Sequence, residues 1–201
     1  MPDDAPSISA AASVVRGGRI VAYPTDTVYG LACDPLSEKA VDRLFEVKER
    51  EAKPIPVLFA EMADVREVVD LDGVALDLAR KFWPGALTIV APLKRHVPHK
   101  LDQKSGWLGV RIPGHPVARS LAREAGGCIT GTSANLSGRP SCTTAEEVNR
   151  SLGRRVEMII DGGTSRGGQS TVVKVADGSV EVLRRGLIGF EPGTVRESLD
   201  R

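Results

Sequence analysis

The run Thr130-Gly-Thr-Ser-Ala-Asn-Leu-Ser-Gly138 packs small hydroxyl, amide and glycine residues directly after an apolar segment. Such a run exposes backbone N–H groups and short donors, and it lets a ligand approach the chain closely. Ser133 and Asn135 are its candidate contacts to a phosphate or nucleotide, and Ser141 extends the same surface. Taken alone, a turn whose Ser and Asn bond their own backbone explains the run equally well. A second cluster is Val47-Lys-Glu-Arg50, followed by Lys53. Arg offers a planar fork of donors and Lys a compact charge, so Lys48 and Arg50 can cradle a triphosphate. In isolation they read as favourable cations at a helix C-terminus.

Three further places carry polar chemistry. Thr25, Asp26 and Thr27 lie just past a strand end, where open α/β sheets hold their ligands. Thr27 can hydrogen-bond a small polar ligand there, or the segment is turn chemistry. Arg111 sits inside the apolar Leu108-Gly-Val-Arg-Ile-Pro113 and needs a partner if buried. Either a structural salt bridge or a ligand carboxylate can supply it. The segment Asp161-Gly-Gly-Thr-Ser-Arg-Gly-Gly-Gln-Ser-Thr171 is a flexible glycine-rich loop. It matches neither the Gly-x-x-x-x-Gly-Lys-Ser/Thr phosphate loop nor Gly-x-Gly-x-x-Gly. Arg184 follows the final strand and can return a cation to the site. His115 reads as a helix start, with no second His or carboxylate beside it to form a proton relay.

The elements that must position these groups alternate between helix and strand. Helices are expected over 9–16, 37–50, 62–69, 74–82, 115–125, 144–152 and 194–199. Ser37 is the expected N-cap of the second, and Thr144-Ala-Glu-Glu147 is a capping box. Strands are expected over 19–23, 54–59, 86–91, 107–112, 128–131, 156–160, 171–175 and 180–183. The proline-marked 54–59 reads as an edge or early strand, and 94–104 as a basic loop. Asp177-Gly178 is a hairpin turn, so the sheet is mixed. The fold class is α/β, with one domain over 1–201.

Composition narrows the function classes. Net charge is +1, from 27 basic and 26 acidic side chains, so no global field draws the chain to nucleic acid or membrane. Aromatics at 4% argue against a stacking platform for single strands. Cys33, Cys128 and Cys142 are odd in number and widely spaced, which favours reduced thiols in a cytoplasmic protein over a zinc or disulfide framework. No stretch reads as a signal peptide or a membrane span.

Several ordered motifs resemble the YrdC family, which makes threonylcarbamoyl-adenylate from ATP, threonine and bicarbonate. They are Thr25–Leu31, Lys48–Arg50, Arg111–Pro116, Ser133–Gly138, Ser170–Thr171 and Arg184–Gly186. The resemblance implies a twisted open mixed sheet flanked by helices, with a concave basic face. It implies catalytic roles for Lys48 and Arg50. It implies ATP contacts from Lys48, Arg50, Lys53, Ser133, Asn135, Ser141 and Arg184. It implies a threonine pocket of Thr27, Arg111, Gly131 and Ser170. Mg²⁺ would arrive with ATP, and the product would pass to a transferase that modifies tRNA. The chain departs from the family pattern at Asp26 (usually Glu), Glu51 (often Pro), Leu58 (His in some members) and Arg185 (Pro). Two rivals stand beside this reading: a carbamoyl-adenylating enzyme, and a non-catalytic RNA-binding module gripping phosphates with the 94–104 loop.

Overall fold

The computed structural model describes residues 4–49, 53–71 and 73–189. The expected helix at 194–199 and the expected site residue Arg50 lie outside the described residues. In chain order the elements are α1 (Ala5–Arg16), β1 (Val21–Tyr23), β2 (Gly30–Ala32), α2 (Glu38–Lys48), β3 (Val57–Phe59), α3 (Met62–Val68), α4 (Gly73–Phe82), β4 (Leu87–Pro92) and α5 (His99–Asp102). There follow β5 (Trp107–Arg111), α6 (Pro116–Ala125), β6 (Cys128–Thr130), β7 (Thr132–Ser133), α7 (Ala145–Leu152), β8 (Met158–Ile159), β9 (Thr171–Ala176) and β10 (Ser179–Arg184).

Local chemistry sets the helix ends. Ser37 accepts from the Ala40 N–H at the start of α2, and Glu49 leaves the helix in the left-handed region at φ 48°. Thr144 accepts from Glu147 N–H, while the Glu147 carboxylate returns to Thr143 N–H at 2.6 Å. This is the expected capping box with its return bond one residue earlier, on Thr143 before the N-cap. His115 caps α6 through Nδ1, which accepts from Val117 N–H.

Two mixed sheets form. One has the order β7-β2-β1-β8, the other β10-β9-β4-β5-β3-β6. The strand β3 is an interior strand, parallel to β5 and antiparallel to β6, not the edge that its prolines suggest. Pro54 and Pro56 precede the ladder, which begins at Val57, so no ladder donor is missing. The 94–104 stretch also departs from the expected loop, because it contains α5. Buried Asp102 organises the turn after it by accepting from the Lys104 and Gly106 N–H groups.

Apolar residues bury on alternate strand positions. Leu87, Ile89 and Ala91 of β4, Leu108 and Val110 of β5, and Val173 and Val175 of β9 join a core with α2 and α4. A second core lies under α1 and α6 and takes in Tyr23, Leu58 and Ile129. The opposite face of β4, β5 and β9 carries Thr88, Val90, Gly109, Arg111, Val172 and Lys174 and is left open as the floor of a cavity. The period of two along each strand thus divides core from site.

Candidate active site

The cavity has a volume of about 530 Å³ and lies between that open face and the junction with the smaller sheet. Gly131 makes the junction. It is the single residue between β6 of the larger sheet and β7 of the smaller. A Cβ there would sit 2.7 Å from Leu58 Cγ, so only glycine lets the two sheets meet this closely. Thr130 locks the crossing. Its Oγ1 donates to Leu31 O and accepts from Cys33 N–H, while its carbonyl accepts from Tyr23 OH at 2.8 Å.

Seven of the expected site residues line this one cavity: Thr27, Arg111, Gly131, Ser133, Ser141, Ser170 and Arg184. They come from the β1–β2 connection, β5, the sheet junction, β7, the approach to α7, and the β9–β10 region. Lys53 is exposed and precedes the lining residue Pro54.

Lys48 and Asn135 occupy different ground. Lys48 is 1% exposed, at the C-terminus of α2. Its Nζ donates to Ser133 O at 2.5 Å, to Asn135 O at 2.8 Å and to Asn135 Oδ1 at 3.3 Å. Asn135 Oδ1 also accepts from Ser133 Oγ at 2.5 Å, and Asn135 Nδ2 donates to Arg139 O. Neither residue is among those lining the cavity. A buried ammonium must be surrounded by acceptors, and this loop supplies them. The geometry thus places Lys48 and Asn135 beneath Ser133, while Ser133, Ser141 and Arg184 line the cavity itself.

Arg111 is held differently. Its Nε donates to Gly85 O at 2.8 Å and its Nη2 to Asp26 Oδ1 at 2.5 Å. The side chain is 6% exposed. The two alternatives read from sequence are thus compatible, because the ion pair engages two nitrogens and the residue still lines the cavity.

Arg184 donates from Nε to Ser170 O at 3.1 Å and from Nη2 to Ser170 Oγ at 2.9 Å. Desolvation at the cavity wall, and then the Arg111 charge, lower the pKa of Arg184 below the ordinary guanidinium value. Two guanidiniums facing the same space are a site for an anion. Ser170 Oγ also pairs with Thr88 Oγ1 at 2.9 Å. Sequence reading missed Thr88 because it sits in an apolar strand. Its only signal is a hydroxyl on the open-face register. Trp107, Lys174 and Glu181, at the far end of the cavity, were likewise missed. Lys174 Nζ lies 4.4 Å from the Trp107 ring centroid, a cation–π contact.

The glycine-rich loop is tied down beside the site. Gly167 N–H donates to Thr27 O, Ser165 N–H to Thr143 O, and Tyr29 OH to Gly163 O. Among the described residues no group of three or more His, Cys, Asp or Glu could hold a metal ion. No described helix is long and apolar enough to cross a membrane.

Comparison with known proteins bears on this cavity. A Sua5/YciO/YrdC family model, described as telomere recombination, matches residues 13–186. The chain is 40% identical over 192 residues to a threonylcarbamoyl-AMP synthase of Bacillus subtilis, covering 92% of this chain and 55% of the relative. It is 35% identical to a threonylcarbamoyl-AMP synthase of Photobacterium profundum, covering 87% of this chain and 96% of the relative. The crystal structure of Pyrococcus abyssi Sua5 complexed with L-threonine superposes with a TM-score of 0.86 at 38% identity, over 89% of this chain and 54% of that one. The chain thus spans about half the length of the Bacillus and Pyrococcus proteins and nearly all of the Photobacterium one.

Proposed function

The chain belongs to the Sua5/YciO/YrdC family, and from that premise we propose that it joins L-threonine, bicarbonate and ATP into threonylcarbamoyl-AMP, releasing pyrophosphate. One observation carries the reading. A nearly buried, ion-paired Arg111 faces the same cavity as Ser133, Ser141, Ser170 and Arg184. An amino-acid carboxylate and a polyphosphate can therefore lie side by side. A relative crystallised with L-threonine supports the amino-acid half.

The amine of threonine condenses with bicarbonate to give a carbamate and water. A carbamate oxygen then attacks the α-phosphorus of ATP. The bond to the β-phosphate oxygen breaks and pyrophosphate leaves. The lining residues contain no obvious nucleophile–base pair, so the protein's part is positioning and charge stabilisation. Arg111 and Thr27 hold the amino acid. Ser133, Ser141 and Arg184 hold phosphate oxygens, with Lys53, next to the lining Pro54, as a further cation and Arg50 assigned to the nucleotide by its motif alone. Lys48 and Asn135 keep the Ser133 backbone in place. Mg²⁺ carried by the nucleotide would add to the charge stabilisation that Arg184 and Lys53 supply at the departing pyrophosphate. The product, made in the cytoplasm, is passed to a transferase that modifies an adenosine beside the anticodon of tRNAs reading codons that begin with A.

The test is a pyrophosphate-release assay in which threonine, bicarbonate and ATP are omitted one at a time, with the product identified by mass. Release that needs all three, together with a threonylcarbamoyl-adenylate mass, is the expected result. Release with carbamoyl phosphate in place of threonine and bicarbonate would identify the rival carbamoyl-adenylating chemistry. RNA affinity that falls steeply with salt and no turnover would identify a binding module.

A further inference from the structure

Asp26 has no place in the contact set above, yet it touches the most constrained cation of the cavity. Its Oδ1 accepts from Arg111 Nη2 at 2.5 Å, while Gly85 O takes Arg111 Nε. The remaining terminal nitrogen, Nη1, has no hydrogen-bond partner among the described residues. Nor is it sealed from solvent, since the one buried unpaired side-chain atom among the described residues is Ser165 Oγ, and Arg111 lines the cavity. A guanidinium held at two of its nitrogens can present the third in a single direction only.

The other oxygen of Asp26 is located too. A Cβ on Gly114 would lie 3.1 Å from Asp26 Oδ2, so the carboxylate is packed against a backbone with no side chain to displace it. Gly114 has ordinary backbone angles, so packing rather than conformation makes a side chain unwelcome there. Charge points the same way. Arg111 and Arg184 face one cavity, and after desolvation the Arg111 charge adds to the cost of charging Arg184. Asp26 offsets the Arg111 charge from behind without engaging its third nitrogen.

We infer that Asp26 is a positioning residue, whose carboxylate fixes the Arg111 guanidinium so that Nη1 meets the carboxylate of the amino-acid substrate. This rests on the proposed reaction and deepens it. Asp26 need not touch the substrate. Its effect is transmitted through Arg111 and falls on amino-acid capture rather than on nucleotide capture.

The experiment is steady-state pyrophosphate release by the unaltered chain and by Asp26→Asn, Asp26→Glu and Gly114→Ala. Threonine is varied at saturating ATP and ATP at saturating threonine, and a thermal melt is recorded for each protein. Asp26→Asn should raise the threonine KM about tenfold or more while the ATP KM stays within about twofold. Asp26→Glu keeps the charge and should restore the threonine KM to within about threefold of the unaltered value. Gly114→Ala keeps every charge but crowds Oδ2, and should raise the threonine KM by about three- to tenfold. If Asp26→Asn fails to fold, Gly114→Ala and Asp26→Glu decide the matter. Unchanged threonine KM in Asp26→Asn and Gly114→Ala overturns the inference, as do equal rises in both KM values or a fall in kcat alone. If the unaltered chain shows no threonine-dependent turnover, the proposed reaction fails and the inference with it. Turnover by the unaltered chain with normal variants sinks the inference alone.

Discussion

Two buried cations meet opposite needs in neighbouring parts of the molecule. Lys48 closes α2 and is surrounded by acceptors from a single loop, Ser133 O and both oxygens of Asn135. Arg111 ends β5, lines the cavity and has one acid and one carbonyl, with a nitrogen left over. A compact ammonium can be saturated by a loop that folds around it. A planar fork can be held from behind and still offer a face to a ligand. The same requirement, that a buried charge find partners, thus produces a surrounded charge at one site and, at the other, a group with a nitrogen to spare.

Replacing the surrounded charge should have the largest effect. Lys48→Met leaves three acceptors facing an apolar chain, and should cost about 3–5 kcal/mol of stability, seen as a large fall in melting temperature. Activity should fall with it, because Ser133 loses its support. Replacing the fork should separate binding from folding. Arg111→Lys keeps the charge but loses the two-sided hold, and should lower kcat/KM for threonine about 100-fold. Its melting temperature should fall less than that of Lys48→Met. If Arg111→Lys melts as low as Lys48→Met, the contrast between the two cations fails.

A smaller effect is expected at Thr88. Thr88→Val removes the hydroxyl paired with Ser170 Oγ and frees Ser170 to turn away from Arg184. Loss of one such hydrogen bond should lower kcat/KM about three- to tenfold and change stability by about 1 kcal/mol.

The smallest effect should appear in thiol labelling. All three cysteines are buried and unbridged. Burial pushes the Cys33 and Cys128 thiols up to about 12 and also raises Cys142, which feels the charges of Glu147 and Lys48. At pH 8 the native protein should therefore label slowly at all three. Removing the Lys48 charge raises the Cys142 thiol further, so its labelling should quicken in Lys48→Met through loosened packing alone, and not in Arg111→Lys. Linkage fixes the sign at high pH. A thiol raised from 9.0 to about 12 favours the folded state below pH 9, and that contribution is lost as pH climbs toward 12. Denaturant midpoints at pH 8 and pH 10.5 should differ accordingly, with the higher pH less stable.

Seven residues of the cavity wall were legible in the sequence, because they lie in compact motifs at strand and helix ends. The capping box at Thr144, the N-cap at Ser37 and the hairpin at Asp177-Gly178 use local chemistry, and local chemistry is what a sequence displays. Pieces that depend on distant pairing were not legible. The strands β2 and β7 have three and two residues, and they exist because Gly30–Ala32 pairs with both Val21–Tyr23 and the segment after Gly131. The hydroxyl-rich run, for which a turn and a ligand surface stand as alternatives in the sequence, is partly that sheet edge. Gly131 could be named from its motif, but its reason, the 2.7 Å approach to Leu58, is tertiary. Lys48 could be flagged as a cation near a phosphate loop. Which side of the loop it occupies depends on where α2 ends in space.

The most direct measurement is a crystal structure of the chain grown with L-threonine and a non-hydrolysable ATP analogue. The threonine carboxylate should lie within hydrogen-bonding distance of Arg111 Nη1, and the analogue's phosphates against Ser133 and Arg184, with Lys48 still beneath the loop. A nucleotide bound outside this cavity, or a threonine carboxylate away from Arg111, would contradict the account.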